Sequence, residues 1–466
     1  MNTVVSMPAF SRPTFVDDAR RVFQALQRSL PEIREVDALL VDINGILRGK
    51  RLPVADADRL FESGMQIPRS IYLMDPRGEM TNPFGRGIGD GDPDGTAWPL
   101  PQSVGPVWCE GIPRAQMLMT MRDEAGAWHP AESRSVLEQV AARFSRSGLA
   151  PVVAMELEFY LIDLERGPLG EPQPPRDPAN GVRESAHAVY EASSLDRHAE
   201  FLRALNKAAS FQNLPLSATS CEYGPGQFEA NLRHQSDPCV AADHAIYLKQ
   251  IVRMAARSAG YDATFMPKPY LGRAGSGLHV HVSVLDSEDR NIFDNGSNSG
   301  SEALRHAIGG LQAAMPQSMA IFAPSVNSYR RFQADMFAPV NRSWAVNNRS
   351  VGLRVPVGPG DARRVEHRVA GADANPYLVL AAVLAGMHYG IETRIDPGPP
   401  ADGNVSHAFD PELPLTIDEA LARMGRAEAL CNYLGEETVA LYRESKRLEL
   451  QRFRSIVSPA EFEWYL

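Results

Sequence analysis

Alternation of apolar and polar positions marks three segments of this 466-residue chain as strands. In VVAMELEFYLI, within Pro151–Asp163, Glu156 and Glu158 fall on one face and Leu157, Phe159 and Leu161 on the other, because successive strand side chains point in opposite directions. In AGSGLHVHVSV (274–284), a glycine-rich turn leads into a strand with His279, His281 and Ser283 on one face. Leu278, Val280, Val282 and Val284 make its core face. In RRVEHRV (363–369), Arg364, Glu366 and Arg368 alternate with Val365, His367 and Val369, and another strand is expected over 349–356. Helical spacing of apolar residues covers 16–30, Ser135–Ser147, Ser194–Phe211 and Ser301–Met319. Asp237-Pro238 and Asn375-Pro376 each offer an N-cap followed by proline at the first helical position, and the 417–466 tail is helical. Asn44-Gly45, between the apolar runs of Val36–Val54, predicts a hairpin closed by a type I′ turn. The stretches 85–106, 164–186, 324–348 and 395–416 carry loop composition.

Composition narrows the classes. The charge is 47 − 57 = −10, and no basic patch makes nucleic acid a main partner. The longest apolar run, Tyr377–Met387, is too short to span a bilayer, so no membrane association is expected. Cys109, Cys221, Cys239 and Cys431 lack CxxC spacing and are expected to be reduced thiols of a cytoplasmic protein. The N-terminus lacks the pattern of a secretion signal, and residues 1–15 are expected to form an extended arm. Asp90, Asp92 and Asp94 are expected to be solvated. A domain boundary is expected between 130 and 131, within the Trp128–Ser135 stretch.

The strand faces carry the chemistry. Each element alone has an ordinary explanation: an HxH is commonly a polar sheet face, and paired glutamates commonly a solvated edge. SCEYGPGQFEANL adds Glu222 and Glu229 on either side of a Gly-Pro-Gly bend, and NSYRRF and NNRSVGLRVP add Arg331, Arg349 and Arg354. Acids and arginines concentrated on strand faces suit a site for divalent metal, phosphate and carboxylate better than a mere salt-bridge network. Mg²⁺ or Mn²⁺ takes oxygen ligands, and arginines clamp anions bidentately. Neither a Walker A sequence nor a dinucleotide fingerprint occurs.

These segments resemble the glutamine synthetase family. ATFMPKPYLGRAGSGLHVHVSV (263–284) is similar to its ATP-site signature. MELEFYL, EYGPGQFE, NSYRRF, NNRSVGLRVP and RRVEHRVAGADANPYL match its other blocks in order, and VDINGILRGK looks like its N-terminal hairpin. The resemblance implies an α+β protein with an N-terminal β-grasp domain (1–130) and a C-terminal catalytic domain (131–466) built on a curved antiparallel sheet flanked by helices. It also implies roles. Glu158, Glu222 and Glu229 would hold a metal near the substrate carboxylate, and Glu156, His279 and Glu366 a metal at the nucleotide phosphates. Two to three Mg²⁺ or Mn²⁺ ions per site are implied. His281, Ser283, Arg354 and Arg364 would contact ATP. Gly275, Arg331, Arg349 and Arg368 would bind glutamate, with Arg349, Arg354 and Arg368 as catalytic arginines. ATP would phosphorylate the γ-carboxylate of glutamate, and an amine would then displace phosphate. A dodecamer of two hexameric rings, with active sites between subunits, is implied as well.

Two departures concern the nucleophile. Pro68 stands where ammonia-using members carry the aspartate of a DGSS-type loop, and Phe337 where they carry a flap glutamate. With Trp344, these residues are expected to line an apolar amine pocket, so glutamate–amine ligation is expected rather than glutamine synthesis. A monoamine fits an apolar wall. A putrescine- or polyamine-specific ligase, with Asp335, Glu62 or Asp75 as the distal anion, stands as an alternative, as do an ammonia-using synthetase and a non-catalytic structural relative. Ala274 replaces an asparagine of the family's glutamate site, and the NVS stretch (404–406) lacks the tyrosine that is adenylylated in regulated members.

Overall fold

A computed structural model describes residues 12–108, 111–122, 126–297 and 300–466; most of the expected N-terminal arm and Cys109 lie outside the described residues. The chain divides into two compact units, Met1–Ser135 and Val136–Leu466, each built on its own sheet.

The first unit has a six-stranded sheet. The strands run in the order Leu47–Pro53, Glu35–Val41, Arg114–Arg122, Asp94–Pro99 and Met65–Pro68, with Gly105–Val107 also paired to Arg114–Arg122. Glu35–Val41 pairs parallel to Arg114–Arg122, and the helix Val16–Ser29 buries Val16, Ala19 and Phe23, with Phe23 5.4 Å from the Phe61 ring. The Val36–Val54 hairpin forms, but its turn is not type I′. Gly45 has φ 76° and Asn44 keeps a negative φ; Gly45 N–H donates to Asp42 O, and Asp42 N–H to Ile46 O. This is a type I turn with glycine in the bulge position. Asn44 instead sends its side-chain N–H to Met74 O, a tertiary contact that the dipeptide cannot announce. Residues 94–107, expected as loop, contribute two strands. Trp98 and Ala97 are buried, and pairing with 119–122 overrides the Pro-rich composition at short strands where a missing N–H is tolerated. Asp75, one of the candidate distal anions, is buried, with its carboxylate accepting the Arg77 and Glu79 backbone N–H groups.

The second unit has an eight-stranded sheet in the order Trp344–Val346, Leu353–Val355, Val365–His367, Leu278–Leu285, Ala150–Ile162, Gln227–Leu232 and Leu216–Cys221; Asp262–Thr264 also pairs with Ala150–Ile162. Pairing is antiparallel except between Trp344–Val346 and Leu353–Val355, which run parallel at one edge. The core face carries Leu157, Phe159 and Leu161, all fully buried; Phe159 lies 6.0 Å from Phe201 and 5.5 Å from Phe265. The His367 ring packs against Phe322 on the same side, centroids 4.4 Å apart and planes tilted by 50°. The helices Pro238–Ser258 and Pro376–Thr393 start at the expected caps, Asp237 and Asn375, whose side chains accept backbone N–H groups. Helices Glu302–Phe322 and Pro376–Thr393 approach closely through glycines: a Cβ on Gly310 would sit 2.1 Å from Gly386 O. The expected helix over 194–211 is broken at His198, a buried imidazole 2.8 Å from the Glu184 carboxylate.

Candidate active site

Strand register gathers the chemistry into rows across one sheet face. His279 lies opposite Glu156, Glu158 opposite Glu229, and Glu366 opposite both His281 and Arg354. Two groups of potential ligand atoms result, each within 4.8 Å: Glu156, His279 and Glu366, and Glu158, Glu229 and His279. His279 belongs to both. Its Nδ1 is 3.3 Å from Glu156 and 3.9 Å from Glu366, and its Nε2 is 3.9 Å from Glu158. Glu222 stands outside the second group but is near enough that Glu158 and Glu229 repel its charge.

Electrostatics divide the acids. Burial, reinforced by Glu158 and then Glu229, pushes the Glu222 carboxyl up to about 8. Glu229 is raised too, by burial first and then by Glu156 and Glu158. Burial alone would also raise Glu366, but Arg368, and after it His281 and His279, hold that carboxyl down to about 2. Glu366 is 1% exposed, 2.8 Å from Arg354 Nη1 and bonded to Arg368 Nη1. Burial opposes ionisation of Glu156 as well, and hydrogen bonds with His279 and His281 prevail and lower it. One side of the row is therefore neutralised by arginine. The other side is an acid-rich group short of positive charge, a donor set of carboxylates and one imidazole that fits Mg²⁺ or Mn²⁺.

The remaining expected residues fall around this centre. His281 Nε2 is 2.9 Å from Glu156, and Arg364 Nε donates to His281 Nδ1 at 3.2 Å; Ser283 follows, half-buried, on the same strand. Arg331 is buried and donates to Val369 O at 3.0 Å. A Cβ on Gly275 would meet Arg331 Cγ and Pro267 O at 2.7 Å, so the turn fits only glycine. Arg349 is exposed and lies against Tyr190 and Glu222. Phe337 is 50% exposed, with φ 58° and its ring 4.8 Å from Tyr223. It borders a cavity of about 630 Å³ whose lining includes Asp335, Asn347, Arg349, Asp402 and Asn404, so the wall is more polar than expected. Trp344 is not among the lining residues. Its indole is buried, donates to Gly398 O at 3.2 Å and lies under the Arg305 guanidinium. Pro68 ends a strand of the first unit and is exposed there.

Three supporting residues escape sequence reasoning. Tyr160 Oη donates to Ala274 O and Gln227 Nε2 to Gly275 O, which pins the turn before His279. Tyr190, with φ 55°, places its ring beside Arg349 and Glu222. Alternation around Tyr160 and Gln227 predicts strand but not which loop their side chains reach; the positive φ of Tyr190 leaves no mark in the sequence.

Carboxylates, imidazoles and arginines gathered on a sheet face define an enzyme of the glutamine synthetase type. The profile described as "Glutamine synthetase, catalytic domain" matches residues 130–465, and the chain belongs to that family. It is 40% identical over 436 residues to the gamma-glutamylputrescine synthetase PuuA of Escherichia coli (strain K12), covering 94% of this chain and 92% of that one. It is 32% identical to a glutamate–isopropylamine ligase of a Pseudomonas species, covering 91% and 93%. A solved GmaS/ADP complex superposes with a TM-score of 0.81 at 27% identity, covering 95% and 99%.

Proposed function

We propose that this chain is an ATP-dependent ligase joining the γ-carboxylate of L-glutamate to an organic amine by way of γ-glutamyl phosphate. The observation that carries this reading is the pair of ligand groups meeting at His279, with Arg354 and Arg368 beside them on Glu366. Similarity to ligases named for putrescine and isopropylamine supports an organic amine as nucleophile. So does the exposed aromatic face of Phe337 at the cavity wall, at the position where the ammonia-using pattern has a glutamate.

In this reading Glu158, Glu222 and Glu229 hold one divalent cation and Glu156, His279 and Glu366 another, of two to three per site. Such ions supply charge neutralisation for phosphoryl transfer. The arginines act at fixed positions. Arg331, held by Val369 O, and Arg368 bind the glutamate carboxylate beside the Gly275 turn. Arg364, His281 and Ser283 contact the nucleotide, and Arg349 and Arg354 its phosphates. Because their partners already orient these side chains, little reorganisation is needed as charge develops. Amine attack requires the neutral base, and an exposed Phe337 face accommodates its carbon chain. We place the chain in the cytoplasm, as a homo-oligomer of two stacked hexameric rings, with Pro68 contributing to the amine site of a neighbouring copy.

The test is a panel of amines, ammonia included, incubated with glutamate and Mg-ATP, with amide identified by mass spectrometry and phosphate release measured. Amide formation with organic amines, ammonia being a poor substitute, is expected. Saturable ammonia turnover with no organic-amine preference, or no amide at all, defeats the reading.

A further inference from the structure

The cavity beside Phe337 is not the apolar slot that its aromatic wall suggests. Two carboxylates, Asp335 and Asp402, line it with the side chains of Phe337, Val346 and Arg349. Asp335 and Phe337 both hold left-handed backbone, φ 60° and 58°, and this conformation turns both toward one cavity from positions two apart. Asp335 is fixed from the facing loop: Ser406 Oγ donates to its Oδ1 at 2.7 Å, and His407 Nε2 lies 2.9 Å from its Oδ2. A carboxylate has about four acceptor positions, so capacity remains for another cation. Asp402 is exposed and forms no ion pair among the described residues. Of the lining residues, Arg349 is the one that also acts on Glu222 and Tyr190, which ties the cavity to the acid cluster.

This arrangement offers a cationic group (Arg349) toward the acid cluster, an exposed aromatic and aliphatic wall (Phe337, Val346) and anions on the loops. A volume of about 630 Å³ holds a flexible chain several carbons long. A linear diamine presents complementary chemistry: one neutral amine to attack, a methylene stem for the wall and a distal ammonium for the carboxylates. We propose that this cavity is the amine channel and that Asp335, assisted by Asp402, binds the distal ammonium of a linear diamine or polyamine. The inference rests on the ligase reading and specifies its substrate class. Phe337 adds a π-face to which the same ammonium is attracted on its way in.

The test compares a linear diamine with the n-alkyl monoamine of equal carbon count, both with glutamate and Mg-ATP. The ratio of their kcat/KM values is measured for the wild type, Asp335→Asn and Asp402→Asn. The wild type is expected to favour the diamine, and Asp335→Asn to cut the ratio about tenfold, the effect of losing one charge-assisted contact. Asp402, which no ion pair among the described residues holds in place, assists only, and Asp402→Asn is expected to cut the ratio less. Any loosening by Asp335→Asn of the loop that Ser406 and His407 tie down lowers both rates together and leaves the ratio unmoved. An unmoved ratio in both variants, or a wild-type preference for the monoamine, overturns this inference while leaving the ligase reading intact. Absence of amide from every amine defeats the ligase reading itself.

Discussion

Replacing Glu229 with glutamine should stabilise the metal-free protein and weaken the metal-loaded one. Glu229 faces Glu158 across the ladder, and their ligand atoms lie within 4.8 Å, together with His279. Two unit charges at that separation, at an effective dielectric near 20, repel by about 3 kcal/mol. Burial pushes Glu229 upward first, and Glu156 and Glu158 push it further, so the folded state prefers it protonated. Stability therefore falls as pH rises above the ordinary carboxylate range, and the glutamine variant escapes that loss. In chelator at pH 9 the variant should unfold at higher urea, by up to about 3 kcal/mol, and near pH 4 the difference should vanish. Mg²⁺ reverses the order. A wild-type site at a hundred times its dissociation constant gains about 2.7 kcal/mol, and a variant lacking one carboxylate ligand gains much less. The assay is urea unfolding of both proteins across pH, with chelator or with Mg²⁺. A variant less stable than the wild type in chelator at pH 9, or one stabilised equally by Mg²⁺, would refute the reasoning.

The other predictions concern separate parts of the chain. Glu132 is buried, with its carboxyl pushed up to about 7 by burial against opposing hydrogen bonds from Thr120 and the Met121 N–H. The raised value means stability is lost as pH climbs from about 4.5 to about 7, so Glu132→Gln should gain about 3 kcal/mol above pH 7 and nothing below pH 4; equal melting shifts at both pH values would contradict this. Gly275→Ala drives a Cβ into Arg331 and Pro267 O, and should raise KM for glutamate more than tenfold with little change for ATP; parallel changes in both would count against Arg331 as a glutamate residue. Arg331→Lys keeps the charge but loses the fork, and should likewise raise the glutamate KM about tenfold at unaltered nucleotide affinity, measured by ADP binding. Phe337→Glu puts a carboxylate at the flap position itself and should raise ammonia-dependent turnover relative to organic amines; an unchanged ratio would remove Phe337 from the nucleophile's path.

The sequence by itself determined the strand faces and what stands on them. Period-two alternation is a local property, so Glu156 with Glu158, His279 with His281, and Arg364 with Glu366 and Arg368 can be assigned to faces without knowing any partner strand. Helix caps at Asp237 and Asn375 were legible for the same reason: the cap bonds lie within three residues. Only the tertiary structure decided which rows meet. Register sets His279 against Glu156 and Glu229 against Glu158, and a one-residue slip would turn every ligand to the opposite face. Long-range pairing also made strands of 94–107, buried Asp75 in a turn and turned Trp344 away from the cavity. The character of the amine cavity was least legible of all. Phe337 is apolar in the sequence, but the carboxylate beside it is presented by a left-handed backbone at Asp335 and held by a loop seventy residues further on, which no local pattern encodes.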